Sequence, residues 1–157
     1  MSLSITVNGL PHTLEVAPDT PLIFVLREEL GLMSAKLGCG LEQCGACVVL
    51  ADGNPVYACT ATVGDLADQE VQTLEGLSDF VTDMHPLQQA FVEENAAQCG
   101  YCLSGVLMRA KALLDVESNP SRDRICAALD GHLCRCGAQP RMIRAVQRAA
   151  ARMRGEP

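Results

Sequence analysis

Three cysteines crowd one short loop, Cys39-Gly40-Leu41-Glu42-Gln43-Cys44-Gly45-Ala46-Cys47, and a fourth, Cys59, stands alone further on. C-x4-C-x2-C followed by one more cysteine is the ligand spacing of a [2Fe–2S] site. A binuclear iron core needs four thiolates wrapped closely around it. Gly40, Gly45 and Ala46 leave room for that wrapping, and the glycines accept positive φ. Backbone N–H groups in such a loop aim at the sulfurs and tune the reduction potential. Zinc sites built from cysteine usually show two paired knuckles instead. Disulfides need an oxidising compartment. The opening Met1-Ser2-Leu3-Ser4 has no basic region and no long apolar run after it, which points to a cytoplasmic chain.

Length and composition set bounds on the rest. The 157 residues suffice for one ordinary domain or two small ones. Hydrophobic residues make up 48% and aromatic residues only 3%, so the core must be aliphatic. Nine cysteines in a cytoplasmic chain argue for metal. No stretch approaches a transmembrane span. The net charge of −7 argues against nucleic acid as a partner. That charge is uneven: Arg135, Arg141, Arg144, Arg148, Arg152 and Arg154 follow Cys134, against the single acid Glu156. A basic end on an acidic body fits docking to an acidic partner or a phosphate. It equally fits a solvated helix with cations near its C-terminus.

The first half reads as strands around one helix. Leu3, Ile5 and Val7 alternate with polar residues, and Asn8-Gly9 is a hairpin turn. His12 to Val16 is the return strand. Asp19-Thr20-Pro21 predicts a helix start, with Pro21 at the first helical position. Leu22, Val25, Leu26 and Leu30 form the buried face, and Gly31 stops the helix. Cys47 to Leu50, Val56 to Ala58 and Val71 to Leu74 predict three more strands. Two hairpins and a helix across a mixed sheet make a small β-grasp domain, over residues 1–76.

The second half changes period. Residues 77–83 read as a connector, and residues 84–157 as four helices. The helices open near Pro86, Leu103, Ser121 and Pro140. Two helix pairs each hold a two-cysteine turn: Cys99 and Cys102 in one, Cys134 and Cys136 in the other. Four thiolates from two turns make a second metal site, for a second iron–sulfur cluster or for zinc. Cys126, on the third helix among apolar neighbours, reads as a buried free thiol. His12, His85 and His132 are dispersed and read as structural.

With both motifs in hand, the chain resembles the small iron–sulfur subunit of the molybdenum hydroxylases, the xanthine oxidase and aldehyde oxidoreductase family. Gly38-Cys39-Gly40, Gln43-Cys44-Gly45-Ala46-Cys47, Gln98-Cys99-Gly100-Tyr101-Cys102 and Leu133-Cys134-Arg135-Cys136-Gly137 carry the likeness. The resemblance implies an α+β chain: a plant-type ferredoxin-like β-grasp domain, then a four-helix bundle, each with a [2Fe–2S] cluster. It implies a large partner subunit that holds molybdopterin, often in its cytosine dinucleotide form. Electrons from the hydroxylation of an aromatic N-heterocycle or aldehyde then pass to FAD on a third subunit or to a cytochrome. In this likeness Cys99, Cys102, Cys134 and Cys136 are the ligands nearest molybdenum, and Cys39, Cys44, Cys47 and Cys59 the distal set. Gln98 matches a glutamine that reaches the pterin, and Cys136 lies on the electron path. Arg135 pairs with a partner carboxylate or phosphate, or is simply solvated. There is one departure: Glu42 stands where the family often has glycine, placing a negative charge beside the distal cluster. Two other readings compete with this one, a free two-cluster ferredoxin and a zinc-stabilised interaction module.

Overall fold

Strand β1 (Leu3–Val7) buries Ile5 and Val7, the two apolar positions that its alternation sets on one face. Asn8 and Gly9 both take positive φ, 52° and 75°, and turn the chain tightly into β2 (Leu10–Leu14). The register places Val7 opposite Leu10, so the return strand starts two residues before the alternation from His12 suggests. The computed structural model describes residues 2–79 and 82–156. The expected connector at residues 77–83 includes Phe80 and Val81, which lie outside the described residues.

The helix predicted from Asp19-Thr20-Pro21 differs in its start and its winding. Pro21 is extended, with ψ 133°, and bridges to Thr62. Helix α1 (Leu22–Phe24) opens one residue later with no side-chain cap, and the chain continues as a π-helical turn over Val25–Glu29. The reason lies in tertiary hydrogen bonding. Leu22 N–H donates to the Ala61 carbonyl and Ile23 N–H to the Ala58 carbonyl, each at 2.8 Å. These loop carbonyls satisfy donors that a cap would otherwise serve. Gly31, at φ 68°, ends the segment as expected.

Strands β3 (Val48–Ala51), β4 (Asn54–Tyr57) and β5 (Glu70–Gln72) complete a five-stranded mixed sheet in the order β2-β1-β5-β3-β4. The β1–β5 pair is parallel and the others are antiparallel. All four residues of β3 are buried, which explains its unbroken apolar run. Val49 and Ala51 join the core around α1, while Val48 and Leu50 pack on Met108 and Ala112 of the helical half.

Four helices follow: α2 (Pro86–Glu93), α3 (Leu103–Val116), α4 (Arg122–Leu129) and α5 (Gln139–Met153). His85 caps α2: Leu87 N–H donates to its Nδ1 at 3.1 Å, and Gln88 Oε1 accepts from His85 N–H. Ser121 caps α4. Leu87, Phe91, Val106, Leu107, Ile125 and Val146 form the centre of a second aliphatic core. The C-terminal arginines are neither spare nor merely solvated. Arg144 pairs with Glu94, Arg148 with Glu93 and Glu94, and Arg152 with Glu93, so α5 is laced to α2 by a ladder of ion pairs. This internal pairing gives those three arginines a structural role between the two helices.

Candidate metal centres

The loop before β3 is tied down at its start. Arg27 Nη1 donates to the carbonyls of Met33 and Ala35, at 2.9 and 2.8 Å. Glu75 accepts from the Ser34 N–H at 2.7 Å, from the Ser34 hydroxyl and from Thr73 Oγ1. Burial pushes the Glu75 carboxyl up, and these hydrogen bonds outweigh it and hold it low. The cysteines follow from this anchor. Cys39 is exposed and Cys44 half-buried, while Cys47 and Cys59 are buried at the root of β3 and after β4.

Their thiols fall into two pairs. Cys39 lies against Cys44, and Cys47 against Cys59. The outer pair meets backbone donors: Leu41 N–H and Gln43 N–H point at Cys39 Sγ at 3.3 and 3.2 Å, and Cys39 N–H at Cys44 Sγ at 3.4 Å. The Leu41 and Gln43 donors bring the Cys39 thiol down to about 7. Burial pushes the Cys47 thiol up to about 12. A buried thiol of that kind becomes a thiolate when a metal takes the proton's place. Gly38 keeps the cradle open, because a Cβ there would stand 2.6 Å from Cys44 Sγ.

The helical half repeats the arrangement. Cys99 and Cys102 flank the turn into α3, and Cys134 and Cys136 the turn before α5. Cys99 lies against Cys136 and Cys102 against Cys134. Tyr101 N–H and then the Cys136 thiol lower the exposed Cys99 thiol. Burial raises Cys102 to about 12. Burial also pushes Cys134 up, but the N–H groups of Ala138, Cys136 and Gly137 outweigh it. Two thiols per iron suits a binuclear core; tetrahedral zinc needs four on one point. The donor chemistry of both sets thus fits [2Fe–2S]. Cys126 is in neither set; it is half-buried on α4 rather than fully buried.

The two thiol sets meet across a seam that motif reading does not reveal. Leu133 N–H donates to the Cys44 carbonyl at 3.1 Å. Tyr101 Oη donates to the Leu37 carbonyl and Ser104 Oγ to the Ser34 carbonyl, each at 2.6 Å. His132 is buried against Gly45, where a Cβ would stand 2.3 Å from its Nδ1. Burial, then the Arg109 charge, push the His132 imidazole down to about 4, against a backbone hydrogen bond at Gly45. Between the sets lies a cleft of about 320 Å³, lined by Cys39, Cys44, Cys99, Cys102 and Cys134. Gln98 is exposed beside it, and its Nε2 donates to the Cys136 carbonyl at 3.2 Å. Arg135 is exposed.

Two family models match, a "2Fe-2S iron-sulfur cluster binding domain" over residues 5–77 and a "[2Fe-2S] binding domain" over residues 73–147. The second covers Cys99 to Cys136 and removes zinc as the alternative there. A nicotinate dehydrogenase subunit of Pseudomonas putida is 47% identical over 149 residues, 95% of this chain and 94% of that one. The alpha subunit of isoquinoline 1-oxidoreductase from Brevundimonas diminuta is 46% identical, covering 92% of this chain and 94% of that one. The chain belongs to the iron–sulfur subunits of the molybdenum hydroxylase family. The crystal structure of quinoline 2-oxidoreductase from Pseudomonas putida 86 contains a chain that superposes with a TM-score of 0.90 at 36% identity, covering 100% of this subunit and 98% of that chain. Aldehyde oxidoreductase from Desulfovibrio gigas superposes with a TM-score of 0.92 at 39% identity over 99% of this subunit, but only 17% of that longer chain. The iron–sulfur subunit is therefore an electron-transfer component of an oxidoreductase complex, with two [2Fe–2S] clusters, rather than a free ferredoxin. No helix among the described residues is long and apolar enough to cross a membrane.

Proposed function

We propose that Cys99, Cys102, Cys134 and Cys136 hold the cluster that takes electrons from molybdenum, and that Cys39, Cys44, Cys47 and Cys59 hold the cluster that hands them on. Each cluster, when bound, carries one electron at a time. The observation that supports transfer between the two sets is the seam, and the exposed position of Gln98 beside the helical set supports its being the one nearer molybdenum. The Leu133-to-Cys44 hydrogen bond joins a residue adjacent to Cys134 directly to a residue of the other set, so a bonded route between the sets crosses a single hydrogen bond. His132 and Gly45 close the same seam and keep the two loops in contact. Gln98 is braced on the Cys136 carbonyl at the exposed edge of the helical set. That placement supports Gln98 and Cys136 as the residues that face molybdopterin, in its cytosine dinucleotide form, on the large subunit. Residues 1–76 then serve as the outgoing domain, 77–83 as connector and 84–157 as the incoming domain. The acceptor is FAD on a third subunit or a cytochrome, and the complex works in the cytoplasm.

The substrate is an aromatic N-heterocycle or an aldehyde. The names of similar proteins support this range: nicotinate, isoquinoline and quinoline for three of them, and aldehydes for others. The test is anaerobic addition of nicotinate, quinoline or an aromatic aldehyde to the iron–sulfur protein co-purified with its large molybdenum partner. Bleaching of the visible iron–sulfur absorbance by one of them is the expected result. Co-purification of the complex with no bleaching by any of the three would contradict the substrate assignment. An iron–sulfur protein that purifies alone with both clusters would contradict the partner.

A further inference from the structure

The backbone of Glu42 is left-handed, at φ 59°. Among the described residues three other non-glycine residues share that region: Asn8, Asp52 and Asn95, whose short polar side chains ease it. Glutamate brings no such help, so its surroundings must hold it there. The Thr60 hydroxyl donates its one proton to Glu42 Oε1 and lies 3.3 Å from the Tyr57 carbonyl, and Thr60 directly follows Cys59. Glu42 itself lies two residues before Cys44. The residues on either side of it, Leu41 and Gln43, are the two whose N–H groups point at Cys39 Sγ. The backbone angles at residue 42 therefore place the Gln43 N–H relative to Cys39, and the Glu42 side chain ties that conformation to the far side of the thiol set. Val56, Tyr57, Thr60 and Ala61 line an open hollow around the carboxylate.

We propose that Glu42, strapped to Thr60, is a positioning residue that sets the reduction potential of the cluster held by Cys39, Cys44, Cys47 and Cys59 below the value that an uncharged residue would give. This rests on the ligand assignment proposed above. One-electron reduction adds one negative charge to the cluster, the electron arriving from the other cluster of this chain. A fixed carboxylate nearby opposes that addition. Glu42 is exposed, so its influence is screened by salt, which gives the proposal a signature that a packing effect lacks.

The experiment is an EPR-monitored potentiometric titration of the purified complex carrying the wild-type chain, Glu42→Gln or Glu42→Gly. Glutamine keeps an oxygen for Thr60 and loses the charge; glycine adopts positive φ without strain. The signal of the Cys39–Cys59 site is identified as the one altered by Cys44→Ser. Its midpoint is expected to rise in both Glu42 variants while the midpoint of the other signal stays put. The difference from wild type is expected to shrink as salt rises from about 0.01 M to about 1 M, where the screening length falls from roughly 30 Å to roughly 3 Å. Unmoved midpoints with both signals intact, or a rise indifferent to salt, would overturn the role of Glu42 alone. A complex in which Cys44→Ser alters neither signal would overturn the ligand assignment, and this proposal with it.

Discussion

Gly105 lacks a side chain because a Cβ there would stand 1.9 Å from the Gly45 carbonyl oxygen. The obstacle is backbone on the other side of the seam, and it cannot swing away as a flexible side chain would. Gly105→Ala must push α3 off the cluster loop, at about 1–3 kcal/mol. For a chain of this length that is a fall in Tm of about 2–4 °C per kcal/mol, with weakening of the EPR signal from the Cys39–Cys59 site. A second prediction concerns His85. Burial, then the Lys111 charge, hold its imidazole below the ordinary 6.5, against Asp115 and Asp83. A base so lowered stays neutral in the fold and is charged sooner in the unfolded chain. The stability it supports is therefore fully present above pH 6.5 and is lost as pH falls through the lower folded value. Protonation also removes the Nδ1 acceptor that caps α2. Melting curves at pH 7.5 and 5.5 are expected to show a larger drop for wild type than for His85→Asn, since asparagine caps without titrating. The cysteines stand out in the sequence because their spacing is local, and the fold brings Cys39, Cys44, Cys99, Cys102 and Cys134 around one cleft. Gly105, His132 and Thr60 do not stand out, because their partners lie some sixty, ninety and eighteen residues away.

At the scale of elements, α3 was readable to its end residues and α1 was not. Helix α3 carries its own signal, with Val106, Leu107, Ala110, Leu113 and Leu114 all buried on the face their spacing predicts. Helix α1 borrows hydrogen bonds from the Ala58–Ala61 loop, so its start and its π winding depend on a distant segment. The ladder between α2 and α5 was half legible: the arginines were visible as a group, but Glu93 and Glu94 give no hint in sequence that α2 lies alongside α5. Met108 is the test of how elements join. It is fully buried on α3 between the helical half and β3, against Val48 and Leu50. Met108→Ala should cost about 2–5 kcal/mol. Chemical denaturation of the purified complex would show the loss as a lower midpoint with both cluster signals present before unfolding.

The whole molecule is two cluster-bearing halves pressed together at their metal loops. The sheet buries both faces at β3: the helices rest on its Val48 and Leu50 face, while Cys47 packs with Val49 and Ala51 in the core of the sheet half. This brings both cysteine sets to the cleft that Leu133, Tyr101 and His132 close. The β-grasp class and the helical half were legible from hairpin turns and helix periods, whereas the strand order came only with the structure. The seam was not legible, because each of its contacts joins two segments with separate local patterns. In the proposed electron path these eight cysteines hold two binuclear clusters in one chain. Low-temperature EPR of the dithionite-reduced complex, with spins counted per chain, tests it most directly. Two different S = ½ signals of comparable intensity are the predicted result, one altered by Cys44→Ser and the other by Cys134→Ser. A single signal, or a second signal that neither substitution touches, would contradict it.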